Sequence, residues 1–147
     1  RALRLDKMTL AGLVEVLKLY RHPEHLTERL PTLRLLTRDA ADIDAQARRL
    51  LPAVASSLGA AFDISVAPCK SQIGSGSLPV ETLASAALRL APRNGEDATL
   101  RQLHHALRQA ELPIIGRLHK GALWLDLRCL KPSDEAAFTA QLHTISL

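Results

Sequence analysis

The spacing of apolar residues first changes along this chain near Phe62, and that change decides the fold class. Before it, apolar side chains recur every three to four positions. Leu10, Leu13, Val14 and Leu17 form one helical stripe running to about Tyr20, flanked by Met8, Val16 and Leu19; Ile43, Ala47, Leu50, Val54 and Leu58 form another. After it, Phe62, Ile64 and Val66 alternate with Asp63 and Ser65, the pattern of a half-buried strand. Ala86, Leu88 and Leu90 alternate into a second strand, closed by Pro92-Arg93-Asn94-Gly95. Leu100, Leu103 and Leu107 return to helical spacing. Residues 114–118 and 123–127 read as two strands around His119-Lys120-Gly121-Ala122, with the glycine supplying any positive φ. Ser133 is the expected cap of a last helix carrying Phe138, Leu142 and Ile145.

The order is therefore three helices, then β-β-α-β-β-α. Hairpins and short connections favour an antiparallel sheet of about four strands with helices packed on one face, an α+β domain. Punctuation refines the first part. Pro23 suits the first position of a short helix over 24–30, Pro31 is expected to end it, and 32–36 reads as a connector. Thr37 is a candidate N-cap, with Asp39 and Asp42 near the positive helix end, and Gly59 is a stop. Pro52 falls inside that stripe; an interior proline costs about 3 kcal/mol, so a kink or two shorter helices is expected. Residues 1–36 read as a helical arm and 37–147 as the small α+β domain.

At 147 residues the chain has the length of one domain, enough to bury roughly 68–70% of its unfolded surface. Aromatics are only 3%, which argues against a base-stacking nucleic-acid module. The net charge of +4 is a mild basic excess, either a solvated surface or an attraction for an anionic partner such as RNA. Cys69 and Cys129 lie far apart with no CxxC pattern, as expected of free thiols in a reducing compartment. No apolar run approaches the ~18 residues of a membrane span, and no signal peptide is visible. The expectation is a soluble, cytoplasmic protein.

Two segments stand out chemically. Arg1, Arg4 and Lys7 surround Asp6 directly ahead of the first apolar helix. Guanidinium forks leading into a helix start, with its free N–H groups, suit a phosphate-like oxyanion. The abrupt start, with neither an initiator Met nor a preceding strand, reads as the back half of a larger chain. The second segment is Ser71-Gln72-Ile73-Gly74-Ser75-Gly76-Ser77-Leu78-Pro79. Gly74 and Gly76 allow close backbone approach, and Ser71, Gln72, Ser75 and Ser77 offer hydrogen bonds. It matches neither a Walker loop nor GxGxxG, and reads as a strand connector or as a loop closing over a ligand. No metal site is expected: His22 and His25, and His104-His105, lack a third ligand at convincing spacing. Trp124 faces away from Leu123 and Leu125, as a cover for a helix or as an interface residue.

Arg1-Ala2-Leu3-Arg4, Asp6-Lys7-Met8-Thr9-Leu10, 31–37 (PTLRLLT), 71–79, Pro113-Ile114-Ile115-Gly116-Arg117 and 123–128 (LWLDLR) occur in order over nearly the whole chain. Together they resemble the C-terminal part of bacterial selenocysteine synthases, the L-seryl-tRNA(Sec) selenium transferases. The resemblance implies the small C-terminal domain of a fold-type-I enzyme using pyridoxal 5'-phosphate, joined through the arm to a large domain that binds the cofactor. Its substrates would be seryl-tRNA(Sec) and selenophosphate, its product selenocysteinyl-tRNA(Sec), and its assembly a homo-oligomer, a ring of dimers. Arg1 and Arg4 match the family's basic pair near the active site, and the loop containing Ser71, Gln72, Gly74, Ser75, Gly76 and Ser77 is a candidate lining of the cleft.

The family's Schiff-base lysine lies in a Gly-Asp-Lys context followed by a glycine-rich turn. Here Asp6-Lys7 is followed by Met8-Thr9-Leu10, so Lys7 does not inherit that role. This chain by itself is expected to hold no catalytic residue and to be inactive. Two other readings stay open: a stand-alone basic α+β module for RNA binding or regulation, and the small domain of another pyridoxal phosphate lyase or aminotransferase.

Overall fold

The computed structural model describes residues 4–73 and 82–145. They divide into two compact units, Arg1–Arg38 and Asp39–Leu147.

The first unit is helical. Helix α1 spans Lys7–Leu19, a 3-10 turn spans Pro23–His25, and α2 (Leu26–Arg29) and α3 (Pro31–Thr37) follow. Proline begins the turn and α3 alike, because its missing N–H is no loss where the first helical donors have no partner. The expectation that Pro31 closes a helix and opens a connector is thereby corrected: Pro31 starts α3. The helix ends at Thr37, whose hydroxyl donates back to the Leu33 carbonyl at 2.8 Å.

The second unit opens with α4 (Ala40–Leu58). Its N-cap is Asp39, not Thr37; the Asp39 carboxylate accepts from Ala41 N at 3.0 Å. Pro52 lies inside this helix, and α4 is one element rather than two. Leu50, Val54 and Leu58 around the proline are at most 4% exposed. At about 1.5–3 kcal/mol for each fully buried side chain, their burial outweighs the proline's ~3 kcal/mol.

Strands β1 (Phe62–Gln72) and β2 (Thr82–Pro92) form a long antiparallel hairpin, with Phe62 opposite Pro92 and Gln72 opposite Thr82. Helix α5 (Asp97–Gln109) leads to β3 (Arg117–His119) and β4 (Ala122–Asp126), and the four-stranded sheet has the order β1-β2-β4-β3, antiparallel throughout. Pro68 is tolerated because β1 is an edge strand, where no neighbour needs its N–H.

Strand β3 is shorter than the sequence suggests. Ile114 N donates to the Leu107 carbonyl at 2.9 Å, which ties that segment to α5 instead of the ladder. Gly116 then passes so close to Leu123 and Leu125 that a Cβ would lie 2.7–2.8 Å from their methyl carbons. The β3–β4 turn places both Lys120 (φ 48) and Gly121 (φ 67) in the left-handed region, as a two-residue type I′ hairpin requires. A 3-10 turn at Leu127–Cys129 and another at Pro132–Asp134 lead to α6 (Glu135–His143). Asp134 occupies the N-cap position, and Ser133 donates to its carboxylate at 2.8 Å, so Ser133 is not the cap.

The period-2 residues Phe62, Leu88, Leu90, Leu123 and Leu125 share one buried core with Ile43, Leu50, Leu103, Leu107, Phe138 and Leu142 of the helices. Helices α4, α5 and α6 thus cover one face of the sheet, giving the α+β architecture expected. Residues opposite one another in an antiparallel register share a face, so the other face carries Ser65, Cys69, Ser71, Ser85, Ala87, Arg89, Arg117, Trp124 and Asp126. Among the described residues no helix is long and apolar enough to cross a membrane.

Candidate functional site

Arg4 lies exposed in the segment ahead of α1. The helix start behind it is not free for an exogenous anion. Asp6 is the N-cap: its carboxylate accepts from Thr9 N at 2.8 Å and from the Thr9 hydroxyl at 3.0 Å. These bonds, the backbone one foremost, hold the Asp6 carboxyl below its usual range. A carboxylate already occupies the positive end of the helix and takes the Thr9 N–H, so oxyanion affinity here falls chiefly to the Arg4 guanidinium. Lys7 is the exposed first residue of α1. Arg1 lies outside the described residues.

Gly74, Ser75, Gly76 and Ser77 also lie outside the described residues. Ser71 and Gln72 do not belong to a loop: they are the last two residues of β1, paired with Leu83 and Thr82. The Ser71 hydroxyl donates to Asp126 Oδ2 at 2.5 Å and accepts from Arg128 Nε at 3.1 Å. Ser85 donates to Asp126 Oδ1 at 2.7 Å, and that oxygen also accepts from Arg128 N at 3.0 Å. Arg128, only 6% exposed, donates through Nη2 to the Ala84 carbonyl. This polar clamp joins the ends of β1 and β2 to the turn after β4.

The clamp could not be assigned from spacing. The available signal was an acid-base pair at i and i+2, Asp126 and Arg128, interrupting an apolar strand end; only the fold shows that the arginine is buried and that two serines from another hairpin complete it. Asp126 also bears on Cys69. Burial, followed by the Asp126 charge, pushes the Cys69 thiol from an ordinary 9.0 up to about 11, against the smaller pull of a Ser85 hydrogen bond and Arg117. Cys69 is thus a protonated, weakly nucleophilic thiol at neutral pH. Cys69 and Cys129 are both free.

Between the segment 112–115, the end of β4 and α6 the second unit has an apolar groove of about 560 Å³ lined by Leu112, Pro113, Ile114, Leu130, Ala137 and Phe138 among others. Gln141 at its edge is engaged, accepting from Leu112 N at 3.1 Å. Ser133 and Asp134 on its lining are hydrogen-bonded to each other at 2.8 Å, and no histidine lines it. Among the described residues no group of three His, Cys, Asp or Glu is placed to hold a metal.

The described residues do not fit pyridoxal phosphate either. Lys7 sits on a helix that buries no residue, and its neighbour Asp6 is committed to capping. A Schiff-base lysine needs an enclosing pocket and a phosphate cradle, and neither is present around Lys7 among the described residues.

The family model of the L-seryl-tRNA selenium transferases matches residues 1–131. The chain is 55% identical over 142 residues to the L-seryl-tRNA(Sec) selenium transferases of Escherichia coli O139:H28 and Shigella boydii serotype 18. Each alignment covers 97% of this chain and 30% of the relative. The chain thus spans about 30% of the length of the curated relatives it matches.

Proposed function

This chain belongs to the L-seryl-tRNA selenium transferase family, and from that premise we propose that it is the small C-terminal domain and connecting arm of an enzyme that converts seryl-tRNA(Sec) to selenocysteinyl-tRNA(Sec), with selenophosphate as selenium donor. The family match across 131 of 147 residues carries this reading. It favours a transferase over a stand-alone RNA-binding module or the small domain of another lyase or aminotransferase.

Pyridoxal phosphate belongs, in this reading, to the part of the enzyme outside these 147 residues, where it supplies the electron sink for the chemistry at the seryl β-carbon. This chain's residues do something narrower. Residues 1–38 form the arm leading from the large domain, and 39–147 form the small domain bordering the cleft. Arg1 and Arg4 bind and orient the anionic selenium donor; Arg4 is suited to this because its planar fork is exposed, always charged and matched to oxyanion geometry. The Ser71–Asp126–Arg128 clamp fixes the strand ends that carry the glycine-rich segment, and thereby the edge of the cleft. The assembly is a homo-oligomer, a ring of dimers, working in the cytoplasm where its tRNA is. The 147 residues alone are inactive, because the cofactor and its lysine lie elsewhere.

The test is Arg4→Ala in the full-length enzyme. Loss of a charge-assisted hydrogen bond, about 1.5–3 kcal/mol, lowers selenium transfer by about 10- to 100-fold while seryl-tRNA(Sec) binding stays unchanged. Unaltered transfer kinetics would contradict the assignment.

A further inference from the structure

The face of the sheet opposite α4, α5 and α6 carries a row of aromatic and basic side chains. The registers place Arg89 of β2 opposite Trp124 of β4, and Trp124 opposite Arg117 of β3. All three side chains therefore leave the same face, with the indole between two guanidiniums on strands spaced about 4.8 Å apart. Trp124 and Arg89 are half-buried and Arg117 is exposed.

The indole is held by its own hairpin. Its Nε1–H donates to the His119 carbonyl at 3.1 Å, and the His119 ring meets it edge-on at a centroid distance of 6.5 Å. The polar end of Trp124 is thus satisfied internally, and what it offers a ligand is an oriented π-surface. Lys120 at the hairpin tip adds a third cation in a left-handed position where Asn or Asp is the ordinary occupant.

The charges left over on this face are positive. Asp63 is paired with Arg93 at 2.8 Å, and Asp126 is engaged by Ser71, Ser85 and Arg128 N. Among the described residues neither Arg89 nor Arg117 has a carboxylate within ion-pair distance. Ser85 and Ala87 in the interior of the face are themselves buried, so what this face offers a ligand is the partly exposed row of Arg89, Trp124 and Arg117.

We propose that this face, at Arg89, Trp124, Arg117 and Lys120, is a contact site for tRNA. The cations engage backbone phosphates, and one unpaired base stacks on Trp124. The proposal rests on the transferase reading above and names where this domain meets the substrate. It also refines the compositional argument: 3% aromatics preclude a broad stacking platform, yet a single framed indole provides one stacking position. Guanidiniums flanking a ring select a ligand that presents phosphates and a base together.

The experiment is a titration of tRNA(Sec) against the full-length protein at several salt concentrations. The double variant Arg89→Gln/Arg117→Gln binds about tenfold more weakly at ~0.15 M salt, and the slope of log K against log salt falls by about 1–2, since each lost phosphate contact removes about 0.7–0.9. Trp124→Ala weakens binding about tenfold without changing the slope, and Trp124→Phe retains most of the affinity. An altered slope reports lost phosphate contacts, which a merely structural role for the arginines would not change. Wild-type affinity and slope in the double variant overturn the proposal and leave the transferase reading standing. Failure of the wild-type protein to bind tRNA(Sec) overturns both.

Discussion

Helices α1 and α4 carry the same kind of apolar stripe and have opposite fates. In α4, Ile43, Ala47, Leu50, Val54 and Leu58 are between 0 and 4% exposed. In α1, Leu10, Leu13, Val14 and Leu17 are 46–54% exposed, and no residue of the helix is buried. The difference lies in what the chain supplies to cover each stripe. The stripe of α4 has β1, β2 and α6 of its own unit against it, closing a continuous core. Among the described residues the first unit provides only a 3-10 turn and α2 and α3, of four and seven residues, and its α1 stripe stays exposed. A stripe reports what a helix is able to bury; the partner determines whether burial happens.

The sharpest way to break this contrast is to truncate one leucine in each region. Leu88→Ala removes a fully buried side chain from the centre of β2 and costs the 147-residue chain about 2–5 kcal/mol in urea denaturation. Leu13→Ala, at a position 47% exposed, costs less than about 1 kcal/mol. Equal costs would mean that α1 is as well packed as the core of the second unit.

A smaller effect sharpens the contrast through chemistry. The Cys69 thiol is pushed up to about 11 only because the second unit is folded around it. Its folded value lies above the ordinary 9.0, so the stabilisation is fully present below pH 9 and fades as pH rises through 9 to 11. Stability measured across that window declines in the wild-type chain, and Cys69→Ala removes that part of the decline. Alkylation at pH 8 modifies exposed Cys129 well before Cys69.

Much of this second unit was legible from spacing. The alternation of Phe62, Ile64 and Val66, and of Ala86, Leu88 and Leu90, identified β1 and β2, because a half-buried strand needs one apolar face. Lys120-Gly121 marked the hairpin turn. Legibility failed where one residue serves two opposite purposes. Proline ends some helices and begins others, so Pro31 starts α3 where the sequence suggests a stop, and Pro52 does not divide α4 in two against three buried neighbours. Thr37 and Asp39 are both good caps, and a choice two residues apart depends on where the first helical turn packs.

The site was less legible than the fold. Arg4 follows from a motif, but the capping of α1 by Asp6 appears only in the fold. The Asp126–Arg128 clamp joins residues more than 50 positions apart in sequence from Ser71. The row Arg89–Trp124–Arg117 draws on three strands whose pairing no local pattern specifies.

The central claim is that the two regions differ in completeness: 39–147 contains a finished core and 1–38 does not. The most direct measurement is urea denaturation of residues 39–147 produced without the first 38, followed by amide hydrogen exchange. The account predicts a single cooperative transition, with the slowest exchange in β2 and β4 around Leu88 and Leu123. A gradual transition without protected strand amides would contradict it.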